Sequence, residues 1–308
     1  MDQNIIPTIT VLLSAYNGQD YIYSTIESVL NQSFSNFELI IINDGSVDNT
    51  ENIVQKFEDS RIRYFKIDNI GLSRALNYGM ALAKGQYIAR IDQDDLMLPI
   101  RLDCQLNFLL SNPNIGLVGS NVQLKNGNHC SLKKMPLSHK AIEFFALFEN
   151  PLIHSAVMFR RDLFDVFRYS DSEKYLPEDY ELWSRMLYGG VKMFNLADPI
   201  TIYNNVSGSL SKKKSQTIKK NSYRISSSNI SKLVSNPINC NYKHISSLYF
   251  RIKKTNFFSL NYNYFIICII FIQKNGINIE LVYYIVSFYL KLLRNNYLEK
   301  KENFSFRW

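Results

Sequence analysis

Three carboxylates fall within four residues of the run RIDQDDL (90–96): Asp92, Asp94 and Asp95. Like charges this close raise one another's pKa, so the cluster is costly to keep ionised unless something positive is held there. In an extended chain, residues two apart face the same way. Asp92 and Asp94 can therefore address one cation. Mn2+ and Mg2+ take oxygen ligands, and Mg2+ is commonly held by one or two carboxylates together with substrate phosphates. A calcium-binding loop is excluded, because counting from Asp92 puts Met97 where that loop needs glycine. The bland alternative is a capped helix start ahead of Pro99, for which one aspartate would serve.

Two other polar runs follow apolar segments. SAYNG (14–18) offers Tyr16, a buried aromatic or a ring that stacks on a flat base. NDGSVDNT (43–50) offers Asp44, an acceptor for a ligand N–H. Its Gly45 and Ser46 are ordinary turn formers, and Asp48 or Asn49 could cap the next helix. A third run, EDYELW (178–183), brings Glu178 and Asp179 either to a helix start, where acids suit the dipole, or to work as a base. From these residues alone both readings stay open.

The elements that must position these residues alternate. Strand-like runs cover 8–14, 37–43, 62–67 and 86–91. Helical spacing covers 20–32, 50–58 and 73–84, the last with Ser73 as cap and Gly85 as stop. Pro99 suits the first turn of another helix. Such alternation predicts an α/β fold with a mostly parallel sheet flanked by helices. Open parallel sheets bind ligands beyond the carboxyl ends of their strands, where SAYNG, NDGSVD and DQDD all fall. Further on, 114–124 reads as one strand, 156–160 as another and 178–187 as an amphipathic helix. The composition changes near residue 205, a candidate domain boundary. Neither a GxGxxG fingerprint after the first strand nor a P-loop is present, which argues against hydride transfer and P-loop chemistry.

The chain has 308 residues, 46% hydrophobic and 20% charged, enough for a core that needs no staples. Cys104, Cys130, Cys240 and Cys268 form no CxxC pair, and His129, His139, His154 and His244 share no zinc spacing with them. The start, MDQNIIPTITVLLS, lacks the pattern of a secretory signal, so reduced thiols in a cytoplasmic protein are expected. The net charge of +8 gathers late, in SKKKSQTIKK (211–220) and YFRIKK (249–254). Charge alone leaves a solvated face, nucleic acid or an anionic membrane as readings. The apolar runs 264–272 and 281–290 are each too short to span a bilayer, which needs about 20 residues. They would form a helical hairpin packed on the preceding domain, or lie in a membrane interface.

Taken in order, the motifs TVLLSAYNGQDYIYSTIESVLNQSFSNFELIIINDGSVDNT, GLSRALNYGMALAKGQYIARIDQDDLMLPIRL, HSAVMFRR and EDYELWSRM resemble the family-2 glycosyltransferases, inverting enzymes of the GT-A fold. The resemblance runs from about residue 8 to about residue 205. It implies a GT-A, Rossmann-like catalytic domain over 1–205, with a nucleotide-sugar half (1–112) and an acceptor half (113–205), and a helical C-terminal extension over 206–308. It implies that Ser14, Ala15 and Tyr16 flank the base, that Asp44 accepts its N–H, and that Arg74 lies near the diphosphate. Asp92 would sit nearer the ribose and Asp94 would bind Mn2+ or Mg2+. Asp179 falls where the family places its catalytic base, with Glu178, His154 and Trp183 on the acceptor side. The implied reaction moves a sugar from a nucleotide-sugar, a UDP-sugar in the first instance, to a glycan or lipid-linked acceptor of surface-polysaccharide synthesis, without nucleic acid. The implied place is the cytoplasm, with peripheral contact at the cytoplasmic face of the membrane as an option. A nucleotidyltransferase and a non-catalytic sugar-nucleotide binder are the alternatives.

Overall fold

The computed structural model describes residues 6–171, 177–206, 215–233, 257–276 and 279–304. Residues 211–214 and 249–254 of the basic runs, together with Cys240 and His244, lie outside them. Among the described residues, seven strands form the main sheet. They are β1 (Ile9–Ala15), β2 (Phe37–Asp44), β3 (Ile62–Ile67), β4 (Tyr87–Asp92), β6 (Ile115–Ser120), β9 (Met158–Arg160) and β10 (Lys192–Leu196), in the order β10-β6-β9-β4-β1-β2-β3. Neighbours are parallel except at β9, which runs antiparallel between β4 and β6. The expected mostly parallel α/β sheet is what forms.

Strand alternation builds two cores. Val11, Leu13, Leu39, Ile41, Ala89 and Ile91 face one side with α1 (Ile22–Leu30), α2 (Thr50–Val54) and α4 (Arg101–Ser111). Leu12, Ile40, Ile42 and Ile88 face the other, with α3 (Leu72–Ala81) and α7 (Glu178–Tyr188). The period of two in these strands, against helices buried at spacings of three and four, is the pattern that covers both faces. Gly85 lets the chain pass close over the sheet, since a Cβ there would lie 2.4 Å from the Thr10 backbone nitrogen.

Several local expectations need correction. Ser73 does not cap α3; Gly71, at φ 88°, holds the cap position, and the helix stops at Ala81 rather than running on to Gly85. Pro99 precedes the first turn of α4, which Ile100 caps. The single strand expected over 114–124 is two, β6 and β7 (Val122–Asn126), in different sheets. Asn121 makes the corner: its amide donates to Ala197 O at 2.7 Å and its Oδ1 accepts from Met135 N at 2.7 Å, replacing ladder bonds lost at the bend. β7 joins β5 (Leu96–Met97), β8 (His129–Lys133) and β11 (Thr201–Asn204) in a second sheet, ordered β5-β11-β7-β8.

The C-terminal region is helical: α8 (Ser215–Leu233), α9 (Phe257–Asn275) and α10 (Ile279–Phe304). α9 and α10 lie over α5 (His139–Phe145) and bury Phe144, Phe148, Tyr264, Phe271, Phe288 and Leu292 together. Polar ties reinforce the packing: Asn229 donates to Ala146 O at 2.7 Å, and Glu280 Oε2 accepts from Ser138 N at 3.1 Å. The opposite side leaves Phe265, Ile269, Val282, Val286 and Leu290 exposed. No helix among the described residues is long and apolar enough to cross a membrane.

Candidate active site

Register brings the three polar runs to one edge. Ser14 pairs with Ile42 on one side and Asp92 on the other, and Asp44 pairs with Ile67. Beyond the strands the first two loops grip each other. Asn17 N donates to Ser46 Oγ at 3.0 Å, Val47 N to Asn17 Oδ1 at 2.9 Å, and Gly18 N to Thr50 Oγ1 at 2.8 Å. Asn49 holds the cap position of α2 without a side-chain cap bond, and Asp48, one residue before it, accepts from Thr50 N at 3.0 Å. Ser14 and Ala15 are buried, whereas Tyr16 is 49% exposed above the edge. Asp44 is buried, and its Oδ1 and Oδ2 accept from Ile70 N at 2.8 Å and Gly71 N at 3.0 Å. That carboxylate shapes the turn into α3 and keeps spare lone pairs. Arg74, on the first turn of α3, is exposed and 3.4 Å from Asp171.

The aspartates are not balanced by one another but by two arginines beneath them. Arg90 is buried in β4 and its Nη2 lies 2.5 Å from Asp92 Oδ1. Arg101 is fully buried, donating to Ser155 O and Arg90 O, each at 2.7 Å. Burial drives Arg101 down to about 9, against the pull of Asp95. Burial also opposes ionisation of Asp92, yet the Arg90 guanidinium keeps it below the usual carboxylate range. For Asp94, burial and then the Asp92 charge push the carboxyl up to about 6. Asp95 is raised further by burial and by both neighbours. β11 closes the turn from behind, for Asn204 N donates to Asp95 Oδ1 at 2.8 Å and its amide to Asp94 O at 2.5 Å.

These residues fit a divalent cation. Among the described residues Asp95 Oδ2 is buried without a hydrogen-bond partner, and the Asp94 carboxyl accepts from its own backbone N–H. Among the described residues no three His, Cys, Asp or Glu side chains form a self-contained cage. A cation would thus draw on Asp94, with Asp92 beside it, and on ligand oxygens.

Across the edge, α7 begins with Glu178 and Asp179. Asp179 Oδ2 accepts from Asn150 Nδ2 at 2.6 Å and Oδ1 from Tyr180 N at 2.7 Å. Burial, with a contribution from Asp92, raises Asp179 to about 6 despite those donors. Burial and then the Asp179 charge raise Glu178 to about 7. The Asp92 charge acts on Asp179, Glu178 and His154, so the two carboxylate groups lie near one another. His154 is buried, its Nε2 2.7 Å from the Tyr169 hydroxyl and its Nδ1 3.9 Å from Glu178. Burial and Arg90 lower it to about 3, so it is neutral at pH 7. Trp183, expected to line the acceptor side, is fully buried and packs edge-on against His154 at 6.1 Å, supporting that side from behind.

The structure adds Arg90, Gln93, Arg101, Asn150, Ser155, Tyr169 and Asn204 to the site. Arg90 was open to detection as a charge inside the apolar run QYIARI. Asn150 and Asn204 carry no local signal, because their roles exist only once distant elements meet.

Residues 10–167 match the family described as Glycosyl transferase family 2. The chain is 33% identical over 193 residues to the O-antigen biosynthesis glycosyltransferase WbnJ of Escherichia coli, covering 61% of this chain and 74% of that protein. It is 31% identical over 210 residues to the UDP-Glc:alpha-D-GlcNAc-diphosphoundecaprenol beta-1,3-glucosyltransferase WfaP of Escherichia coli, covering 67% and 80%. An uncharacterized glycosyltransferase of Haemophilus influenzae is 30% identical over 194 residues, a match that takes in 58% of this chain and 60% of that protein's length. In fold the chain resembles S. aureus TarS 1-349 in complex with UDP-GlcNAc, with a TM-score of 0.61, 13% identity and coverage of 94% and 89%. It also resembles the mannosyltransferase PcManGT of Pyrobaculum calidifontis in complex with GDP-Man and Mn2+, with a TM-score of 0.58, 14% identity and coverage of 96% and 89%.

Proposed function

The chain belongs to glycosyl transferase family 2 and is a glycosyltransferase; from that premise we propose that it transfers a sugar, with inversion, from a UDP-sugar to a lipid-linked or glycan hydroxyl in surface-polysaccharide synthesis. The observation that carries this is the pairing of Asp92 and Asp94 at the end of β4 with Asp179 at the start of α7, close enough for the Asp92 charge to act on Asp179. Tyr16 stacks on the base, Ser14 and Ala15 line its edge, and Asp44 accepts its N–H. Arg74 leaves Asp171 for the diphosphate. A divalent cation at Asp94 would supply Lewis-acid stabilisation of the leaving diphosphate. Asp179 takes the acceptor hydroxyl proton as that oxygen bonds to the anomeric carbon and the carbon–phosphate-oxygen bond breaks. One displacement with one base gives inversion. Glu178 and neutral His154 hold the acceptor.

In this reading residues 1–205 are the catalytic domain and 206–308 an extension, whose described helices rest on α5 of the acceptor half. The exposed stripe of α10, continued by Phe265 and Ile269, meets an anionic membrane surface, where a lipid-linked acceptor is presented. WfaP is named for such an acceptor, a diphosphoundecaprenol sugar. The test is a panel of nucleotide sugars with a diphospholipid-sugar acceptor. Release of nucleoside diphosphate and a product of inverted anomeric configuration by NMR are expected. Release of pyrophosphate, or retention, overturns the proposal.

A further inference from the structure

We propose that Gln93, the residue between the two aspartates, is a positioning residue that fixes the Tyr16 base platform to the aspartate turn. The inference rests on the reading of Tyr16 as the base contact. The Gln93 side chain lies along the backbone of Tyr16 as a strand would. Tyr16 N donates to Gln93 Oε1 at 2.9 Å, and Gln93 Nε2 donates to Tyr16 O at 3.2 Å. The pair extends the β1–β4 edge beyond Ser14 and Asp92, the last residues of the ladder. The Gln93 backbone is fixed as well, its carbonyl accepting from Thr25 Oγ1 of α1 at 2.8 Å.

The surroundings are built for that amide. A Cβ on Gly18 would lie 2.5 Å from Gln93 Oε1, so glycine leaves the space the amide fills. Asn17 turns the chain away at φ 50° and ties it to Val47 N at 2.9 Å. The platform is thus held from the β2 loop on one side and by Gln93 on the other. The Tyr16 ring is half exposed, so the placement of its backbone sets where the ring presents its face. Both backbone groups of Tyr16 are near solvent, and water could satisfy them. What water cannot do is fix their distance from the aspartates. Asparagine is one carbon too short for this span, and glutamate lacks the donor.

The test is calorimetry in the presence of Mg2+ with two probes, the tighter-binding of UDP and GDP, and inorganic pyrophosphate. The isosteric Gln93→Met removes both hydrogen bonds and is expected to weaken nucleotide binding about tenfold, the scale of two such bonds. Pyrophosphate, which never meets the base platform, should bind within about twofold of wild type. Gly18→Ala displaces the amide and should reproduce the loss, and the two changes combined should cost no more than either alone. Gly18→Ala also keeps the question open to measurement should Gln93→Met not fold. Equal weakening of both probes means a merely structural residue and overturns the proposal. So does unchanged nucleotide binding in Gln93→Met while Tyr16→Ala weakens it. If Tyr16→Ala also leaves nucleotide binding unchanged, the base-contact reading fails and the inference fails with it.

Discussion

The side-chain amide of Asn150 donates to Asp179 Oδ2 at 2.6 Å, fixing the carboxyl of the proposed base. Asp179→Asn should lower transfer by about 10²–10⁴-fold, the range of general-base catalysis. Nucleotide binding by calorimetry should stay nearly intact. Asn150 lowers the Asp179 pKa, so Asn150→Ala should move the acidic limb of the kcat/KM profile upward from about 6. A shift of about one pH unit corresponds to one charge-assisted hydrogen bond.

Glu178 links stability to pH. Its folded-state pKa is raised from 4.5 to about 7, by burial and then by Asp179. The folded state therefore binds the proton more tightly than the unfolded state. Stability from this group is full below about 4.5 and is lost as pH rises through about 7. Glu178→Gln removes the titration. Thermal unfolding should find the variant more stable than wild type at pH 8, by on the order of 2 kcal/mol, and level with it near pH 4.

Asp94→Ala tests the metal assignment without turnover. Wild-type affinity for UDP should rise about tenfold or more when Mn2+ is added, through mass action on a shared site. In the variant, calorimetry with and without Mn2+ should give the same affinity. A preserved metal effect would move the ligand role away from Asp94.

The stripe on α10 predicts a surface property. Val282, Val286 and Leu290 are exposed and recur every four residues, on one helix face. Flotation with phosphatidylglycerol vesicles should carry the wild-type chain upward and leave the triple serine variant in the soluble fraction. Neutral phosphatidylcholine vesicles should carry less of either. Equal flotation of both forms on anionic vesicles would remove the stripe from the account.

Much of the catalytic fold was legible because burial on two faces writes itself into strands such as FELIII and helices such as DYIYSTIESVL. The level ends of β1, β2 and β4 could be inferred from the polar residues that close each strand. The corner at Asn121 was not legible, because β6 and β7 are both strand-like and only their partners in separate sheets reveal the break. The burial of Trp183 was likewise hidden, since an amphipathic stripe does not say which apolar residues meet the site and which lie behind it. Arg101 stands in the plain run PIRL, and its place under the aspartates depends on α4 turning back below β4. Charge balance across elements is long-range information, and local pattern carries little of it.

Asn204 has a consequence for how the enzyme comes into being. It holds the backbone of Asp94 and the carboxylate of Asp95, more than a hundred residues behind it in the chain. Synthesis runs from the N-terminus, so the aspartates leave the ribosome well before the residue that sets their turn. A nascent chain stopped short of β11 would own every acidic group of the site and lack their final arrangement. Competence would arrive late, once β11 has joined the second sheet.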